Sequence, residues 1–247
     1  IDLANLNSGS PTMDMLSDVS YTGLANGDLL QWVGGSGEWQ PVASGSIGSS
    51  LFDDDSGTGS THRIGNPAAV GNYSTLSGGQ FNGTPGAHST VSGGDTNCAS
   101  GDCSTVGGGL CNTTVGAQST ISGGTDNETR NSLSAIGGGN SNYAGGTAAA
   151  IAGGENNTAN GHGSIGGGCN NDQGGGSGAT ISGGLTNCTF GDGPTVGGGS
   201  GNCATCNFST IGGGCSNTAS CYFSTISGGD NNNATACRST IGGGIGN

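Results

Sequence analysis

Histidine and carboxylate side chains, the usual agents of proton transfer, are thinly spread along this chain. The three histidines are His62, His88 and His162, and the last two each stand three residues before an aliphatic residue. No Ser-His-Asp or Cys-His arrangement is visible, and the scattered acidic residues do not predict paired acid–base chemistry. No glycine-rich stretch is followed by the lysine that a phosphate-binding loop requires. The sequence therefore predicts that the protein is not an enzyme and has no cofactor site.

Cysteine is the second kind of reactive side chain, with 10 copies. Cys188 and Cys203 are 15 residues apart, as are Cys206 and Cys221, and this spacing equals the period of the repeat described below. The single Cys-x-x-Cys pair does not recur with zinc-finger spacing. We expect disulfides between these stacked neighbours, because one step of the repeat suits disulfide geometry. The alternative is that the cysteines are small apolar residues in alanine-like positions.

Acidic side chains offer one candidate metal site. Asp53–Asp55, Asp126 and Glu128 could bind calcium, and the recurring Gly-Gly-x-x-Asn is similar to the turns of calcium-binding β-rolls. That class repeats every nine residues or so with an aspartate in each turn, whereas most repeats here lack one. Solvated turns are therefore the simpler interpretation, and we expect no resident metal.

The charge balance excludes two classes of partner. Against 16 acidic residues stand only Arg63, Arg130 and Arg238, which gives a formal net charge of −13. Such a chain cannot neutralise phosphates, so nucleic-acid binding is not predicted. The same charge opposes docking on an anionic membrane, and no apolar run is long enough to cross a bilayer. The 58 glycines do not indicate collagen, since only 5 prolines accompany them.

A repeat of 15 residues organises most of the chain. In each copy one aliphatic residue, which we call the anchor, precedes a small-Gly-Gly triplet. The spacing is constant except for one step of 14, from Ile151 to Ile165, followed by one of 16, to Ile181. The twelve anchors are Leu76, Val91, Val106, Ile121, Ile136, Ile151, Ile165, Ile181, Val196, Ile211, Ile226 and Ile241.

An asparagine follows each anchor by six residues. Asparagine tolerates the left-handed backbone region better than other non-glycine residues, so we predict that these asparagines form corners, many with positive φ. Ser-Thr-Ile favours a strand and Gly-Gly a second corner. The twelve corner asparagines are Asn82, Asn97, Asn112, Asn127, Asn142, Asn157, Asn171, Asn187, Asn202, Asn217, Asn232 and Asn247.

These features predict an all-β, parallel β-solenoid of twelve 15-residue rungs, in which the anchors form an interior ladder. At about 4.8 Å per rung the solenoid is roughly 55 Å long. Each rung holds one large aliphatic side chain, which yields only about 1.5–3 kcal/mol on burial. So thin a rung indicates a second buried surface, and we expect several chains to associate around a common axis. No cap follows the last repeat, so we expect further sequence or an abutting unit beyond Asn247.

The repeats resemble the head repeats of trimeric autotransporter adhesins, for example from Asn217-Thr218-Ala219 to Tyr222-Phe223-Ser224-Thr225-Ile226-Ser227-Gly228-Gly229. The resemblance covers residues 72–247, although that family's commoner period is one residue shorter. It implies a left-handed parallel β-roll and a homotrimer.

A second resemblance lies nearer the N-terminus. Leu16-Ser17-Asp18-Val19, Asn26-Gly27-Asp28-Leu29-Leu30-Gln31-Trp32 and Gly34-Gly35-Ser36-Gly37-Glu38-Trp39 are similar to a short module of bacteriophage tail fibres. The residues predict a β-hairpin of Asp28–Val33 and Glu38–Val42, in which the two tryptophans could pack together. We divide the chain into this module (1–43), a Ser/Gly/Asp-rich connector (44–71) with a degenerate rung near Ile64 or Val70, and the solenoid (72–247).

These resemblances imply the structural shaft of a phage tail fibre or spike, located in the virion and outside cells. The expected partners are two further copies of the chain, other virion or fibre proteins at the N-terminus, and a host receptor bound by a tip outside this chain. The first alternative is a bacterial trimeric surface adhesin. An ice-binding solenoid is an alternative of another class, because a threonine precedes nine of the anchors. The threonines are Thr75, Thr90, Thr105, Thr120, Thr180, Thr195, Thr210, Thr225 and Thr240, with breaks at Ala135, Ala150 and Ser164.

Overall fold

A computed structural model describes residues 71–247 in full and the backbone of four earlier strands, 29–33, 38–42, 52–53 and 61–63. The strands are numbered β1–β26 in chain order. The chain divides into two compact units, Ile1–Leu51 and Phe52–Asn247. The division places the candidate calcium ligand Asp53 in the second unit; its side chain, together with Asp54 and Asp55, lies outside the described residues.

The first unit contains one pair of described strands. β1 (Leu29–Val33) runs antiparallel to β2 (Glu38–Val42), in a register that sets Trp32 opposite Trp39. The sequence predicts this pairing because two β-prone segments flank a glycine-rich stretch. The packing of the two tryptophan side chains lies outside the described residues.

The second unit is a parallel β-solenoid built largely from strands of two residues. Its larger sheet has 14 strands and begins with β3 (Phe52–Asp53) and β4 (Thr61–Arg63), which pair antiparallel. The twelve strands that follow each end at an anchor and are all parallel. They are β5 (Thr75–Leu76), β6 (Thr90–Val91), β8 (Thr105–Val106), β10 (Thr120–Ile121), β12 (Ala135–Ile136), β14 (Ala150–Ile151), β16 (His162–Ile165), β18 (Ser177–Ile181), β20 (Thr195–Val196), β22 (Thr210–Ile211), β24 (Thr225–Ile226) and β26 (Thr240–Ile241).

A smaller sheet has 10 strands. Each strand begins directly after one of the recurring asparagines, from Asn97 to Asn232. A third line of single parallel bridges runs from Gln80–Asp95 to Asp230–Ile245, so each rung contributes to three ladders. The strands of the smaller sheet are β7 (Cys98–Ala99), β9 (Thr113–Thr114), β11 (Glu128–Thr129), β13 (Tyr143–Ala144), β15 (Thr158–Ala159), β17 (Asp172–Gln173), β19 (Cys188–Thr189), β21 (Cys203–Ala204), β23 (Thr218–Ala219) and β25 (Asn233–Ala234).

The chain makes about 11 turns of roughly 15 residues between Leu76 and Ile241, since twelve anchors enclose eleven steps. At about 4.8 Å per rung this part is roughly 53 Å long. The solenoid begins one strand before the first anchor, because Thr61 pairs in parallel with Thr75 and His62 with Leu76. This degenerate rung lies close to the Ile64 named from the sequence and well before Val70.

The core consists of the anchor side chains and smaller residues from the opposite sheet. Every anchor from Leu76 to Ile226 is at most 2 % exposed, whereas Ile241 is partly buried. In each strand of the smaller sheet the second residue points inward, and it is usually alanine or threonine, as at Ala144. No helix occurs among the residues that the structure describes, as expected for a 15-residue period with β-branched anchors.

Candidate functional site

A continuous ladder of asparagine side chains runs through the interior of the solenoid. Asn127 shows the pattern: its backbone N–H donates to Oδ1 of Asn112 at 3.1 Å, and its Nδ2 lies 3.0 Å from the same oxygen. That Nδ2 also donates to the carbonyl of Gly123 in its own rung at 3.2 Å and of Gly139 in the next at 3.0 Å. Each amide therefore joins three consecutive rungs.

The positive φ predicted for the asparagines is wrong, and the residue before each of them carries it instead. Asp126 has φ 53° and is exposed, while Asn127 is 1 % exposed and has no positive φ. An inward-pointing amide can bond the rungs above and below, whereas a residue at the corner itself points into solvent. The asparagines are thus interior cross-links placed just after the corner.

A second corner lies three residues before every anchor except Ile165, which is preceded by the left-handed Gly161 four residues earlier. Leu133, for example, has φ 64° and is 57 % exposed. The serine after it closes this corner, since Ser134 Oγ donates to the carbonyl of Asn131 at 2.6 Å. Most of these serines are fully buried. The spacing of the anchors predicts no role for them, and the available signal is that a serine precedes seven of the nine threonines.

Buried hydroxyl groups extend the polar interior across the rung. Thr129 Oγ1 donates to Ser119 Oγ at 2.9 Å, and Ser119 Oγ donates to the carbonyl of Gly116 at 2.6 Å. A buried hydroxyl without a partner is costly, so these chains of hydrogen bonds allow small polar residues to fill the core. Each rung of a single chain is therefore stabilised by hydrogen bonds between buried polar groups as well as by burial of its anchor.

The two rungs of irregular length keep the ladders in register. Asn171 donates to Asn157 across the step of 14 residues, and Asn187 donates to Asn171 across the step of 16. The buried side chain of Gln173 fills the space that a side chain at Gly163 would occupy, and its Nε2 donates to Gly175 at 3.1 Å. The change in length is thus confined to the segment between each asparagine and the following anchor, which is one residue shorter before Ile165 and one residue longer before Ile181.

The two histidine side chains of the described solenoid each lie beside a residue of a neighbouring rung. His88 stacks on Tyr73 with ring centroids 5.1 Å apart, and Nδ1 of His162 lies 3.4 Å from Ser177 Oγ. Within residues 71–247 the structure brings together no group of three His, Cys, Asp or Glu residues that could hold a metal ion. Of the candidate calcium ligands, Asp126 is exposed, and Glu128 pairs with Arg130 at 3.0 Å.

One carboxyl group has a displaced pKa. Partial burial raises the pKa of Asp172 above its ordinary value. Asp172 is the first residue of β17 and pairs with Thr158 in one neighbouring rung and Cys188 in the other. Within residues 71–247 no basic side chain pairs with Asp172, so the loss of hydration on ionisation is not offset there.

The cysteines form two disulfides among the described residues. Cys188 bonds to Cys203, as their in-register pairing leads one to expect, with Cα atoms 4.6 Å apart. The predicted pair of Cys206 and Cys221 is wrong, because Cys221 bonds to Cys237 in the following rung, with Cα atoms 4.8 Å apart. Cys206 is free. The spacing does not indicate this choice, because Cys237 lies one position beyond the column of Cys206 and Cys221.

The outer face of the larger sheet is lined by the threonines that precede the anchors. Where Ala135, Ala150 and Ser164 replace threonine, the face has a shallow open depression of about 580 Å³. Its floor includes Ile151 and Ile165. The face is otherwise a regular surface of small side chains, without a convergent set of polar groups.

No protein-family model and no curated protein matches this chain. Within residues 71–247 and the four earlier strands, no helix is long and apolar enough to cross a membrane. The features of the described residues that could serve a function are the long ladders, the exposed corners and the regular outer face, and all of them extend along the solenoid.

Proposed function

We propose that the solenoid is a structural shaft in an extracellular fibre, a spacer that holds a recognition element away from its point of attachment. The observation that carries the proposal is the asparagine ladder, which continues through eleven links from Asn82 to Asn247. A ladder that crosses even the irregular rungs stiffens the solenoid along its length.

The surface supports the same role. The chain carries a formal net charge of −13, and its exposed positions are rich in glycine, serine and asparagine. An acidic surface with few cations stays hydrated and resists non-specific association. Among residues 71–247 the His, Cys, Asp and Glu side chains form no group of three that could hold a metal ion, which suits a passive spacer better than a metal-dependent enzyme.

Among fibres, the resemblance of the segment from Leu16 to Trp39 to a phage module favours a phage tail fibre or spike over a bacterial adhesin. This assignment implies a location in the virion, attachment to other fibre proteins through the N-terminal module, and a host receptor bound by a tip. We further propose that three copies assemble side by side. The ice-binding alternative is less well supported, because the depression at Ala135, Ala150 and Ser164 interrupts the threonine column.

The spacer role is tested by shortening the shaft in register. Deletion of residues 107–136 removes two rungs and joins Val106 to Gly137, so the anchor and asparagine ladders keep their phase. The fibre should become shorter by about 10 Å while adsorption to host cells is retained. As a control, deletion of residues 107–132 leaves the ladders out of phase and should prevent folding.

Electron microscopy measures the length, and an adsorption assay measures attachment. Loss of adsorption by a folded fibre that lacks residues 107–136 would show that the shaft itself binds the receptor, and the spacer proposal would then be abandoned.

A further inference from the structure

Three cysteines occupy three consecutive rungs near the end of the described solenoid. Cys221 and Cys237 form a disulfide, and Cys206 is a free, half-buried thiol in the preceding rung. Cys206 and Cys221 lie at the same position, because Thr210 and Thr225 pair in register four residues later. The residue that carries the free thiol is therefore stacked directly next to one cysteine of the disulfide.

The backbone at this position directs a side chain along the solenoid. Most other rungs have glycine there, and a Cβ placed on Gly71, Gly86 or Gly101 would meet the backbone at the same position of the next rung. A side chain at this position thus points along the solenoid towards the following rung. By the same geometry we infer that the side chain of Cys206 is directed towards the rung of Cys221, as that of Cys221 is directed towards Cys237, to which it is bonded.

We propose that Cys206, Cys221 and Cys237 form a thiol–disulfide relay. Because Cys206 and Cys237 belong to the rungs on either side of Cys221, the Cys206 thiolate would reach Cys221 Sγ from the side opposite Cys237, as displacement at sulfur requires. A bond forms between Cys206 and Cys221, and the bond between Cys221 and Cys237 breaks. The departing electron pair stays on Cys237, which takes up a proton equivalent to the one that Cys206 lost, so no external oxidant or reductant is needed.

The exchange moves a covalent cross-link by one rung. In one state it joins the rung of Ile226 to the rung of Ile241, and in the other it joins the rungs of Ile211 and Ile226. The last described rung is then held only by its ladders, and Ile241 is already the least buried anchor. Cys237 lies on an exposed part of the corner, so the relay delivers a reactive thiol to the surface.

The relay is tested by prolonged labelling of the oxidised protein with N-ethylmaleimide at pH 8. Non-reducing digestion and mass spectrometry then identify the labelled and bonded cysteines. In the wild type, label should accumulate on Cys237 together with a Cys206–Cys221 linked peptide. Cys206→Ser removes the attacking thiol and should abolish labelling of Cys237. Label on Cys206 with none on Cys237 in the wild type, or equal labelling of Cys237 in Cys206→Ser, would overturn the relay.

Two comparisons keep the test independent of folding defects. The Cys188–Cys203 disulfide is an internal control, because Asp172 and Thr218 occupy the neighbouring positions of its column and supply no attacking thiol. It should stay unlabelled throughout. Cys237→Ser, oxidised with glutathione disulfide, should form the Cys206–Cys221 bond with the solenoid intact. If both thiols stay free in that folded variant, the second state of the relay does not exist.

Discussion

At the scale of the residue, the buried asparagine is the side chain whose loss the solenoid should tolerate least. Asn127→Val would leave the buried N–H of Asn142 without its acceptor and remove the donor to the Gly123 and Gly139 carbonyls. Each unsatisfied buried group costs about 1–3 kcal/mol, so we expect a loss of at least about 3 kcal/mol in the free energy of unfolding.

The matched control for that substitution is Asp126→Gly at the neighbouring corner. Asp126 is exposed and has positive φ, and Gly201 and Gly246 occupy the same position in other rungs. Glycine relieves the left-handed strain, so this variant should unfold at a urea concentration similar to the wild type. Equal destabilisation by the two substitutions would contradict the interior role of the asparagine.

The partly buried carboxyl group of Asp172 should make the free energy of unfolding depend on pH. Because burial raises its pKa, the folded state binds this proton more tightly than the unfolded state. The stability that this group contributes is therefore present at acid pH and is lost as the pH rises through the folded pKa. Asp172→Asn stays neutral, so its advantage over the wild type should grow from pH 3 to pH 7 in urea titrations. If the difference in the free energy of unfolding between Asp172→Asn and the wild type does not change with pH, the raised pKa of Asp172 is contradicted.

At the scale of the element, the sequence predicts the phase of the repeat well, because β-branched anchors at a fixed spacing leave only one face to bury. The larger sheet and the inward anchors follow from this pattern. The sequence predicts the corners one residue too late along the chain. The residues that have positive φ are as different as Phe81, Thr96 and Cys111. The stacked backbone imposes that conformation, so residue preference carries no signal there.

The disulfides show the same limit of sequence reasoning. Period alone predicts which cysteines are stacked, and it succeeds for Cys188 and Cys203, which occupy paired strands. It fails for Cys221, because the choice between Cys206 and Cys237 depends on the direction of a side chain in a corner. That direction follows from backbone geometry, which the spacing of residues does not contain.

At the scale of the whole molecule, the exposed corners bear on assembly. Large apolar side chains occupy the corner before the anchor in several rungs: Tyr73, Leu133, Phe208 and Phe223 are each 52–57 % exposed, and Phe208 stacks on Phe223 with ring centroids 5.2 Å apart. They follow one line along the solenoid, and apolar surface arranged in this way is typical of an interface. The interior, by contrast, is already closed within one chain, so association is not needed to bury the anchors.

We therefore expect a parallel trimer in which this line faces a neighbouring chain. Light scattering should give a mass three times the 23.4 kDa of the chain. Phe208→Ser combined with Phe223→Ser should shift the equilibrium towards a folded monomer, because it removes apolar contact area without touching the ladders. The control is Thr225→Ser, a change on the outer face of the larger sheet, which should leave the mass unchanged. A wild-type chain that stays a folded monomer at all concentrations would refute the trimer and leave the shaft as a single solenoid.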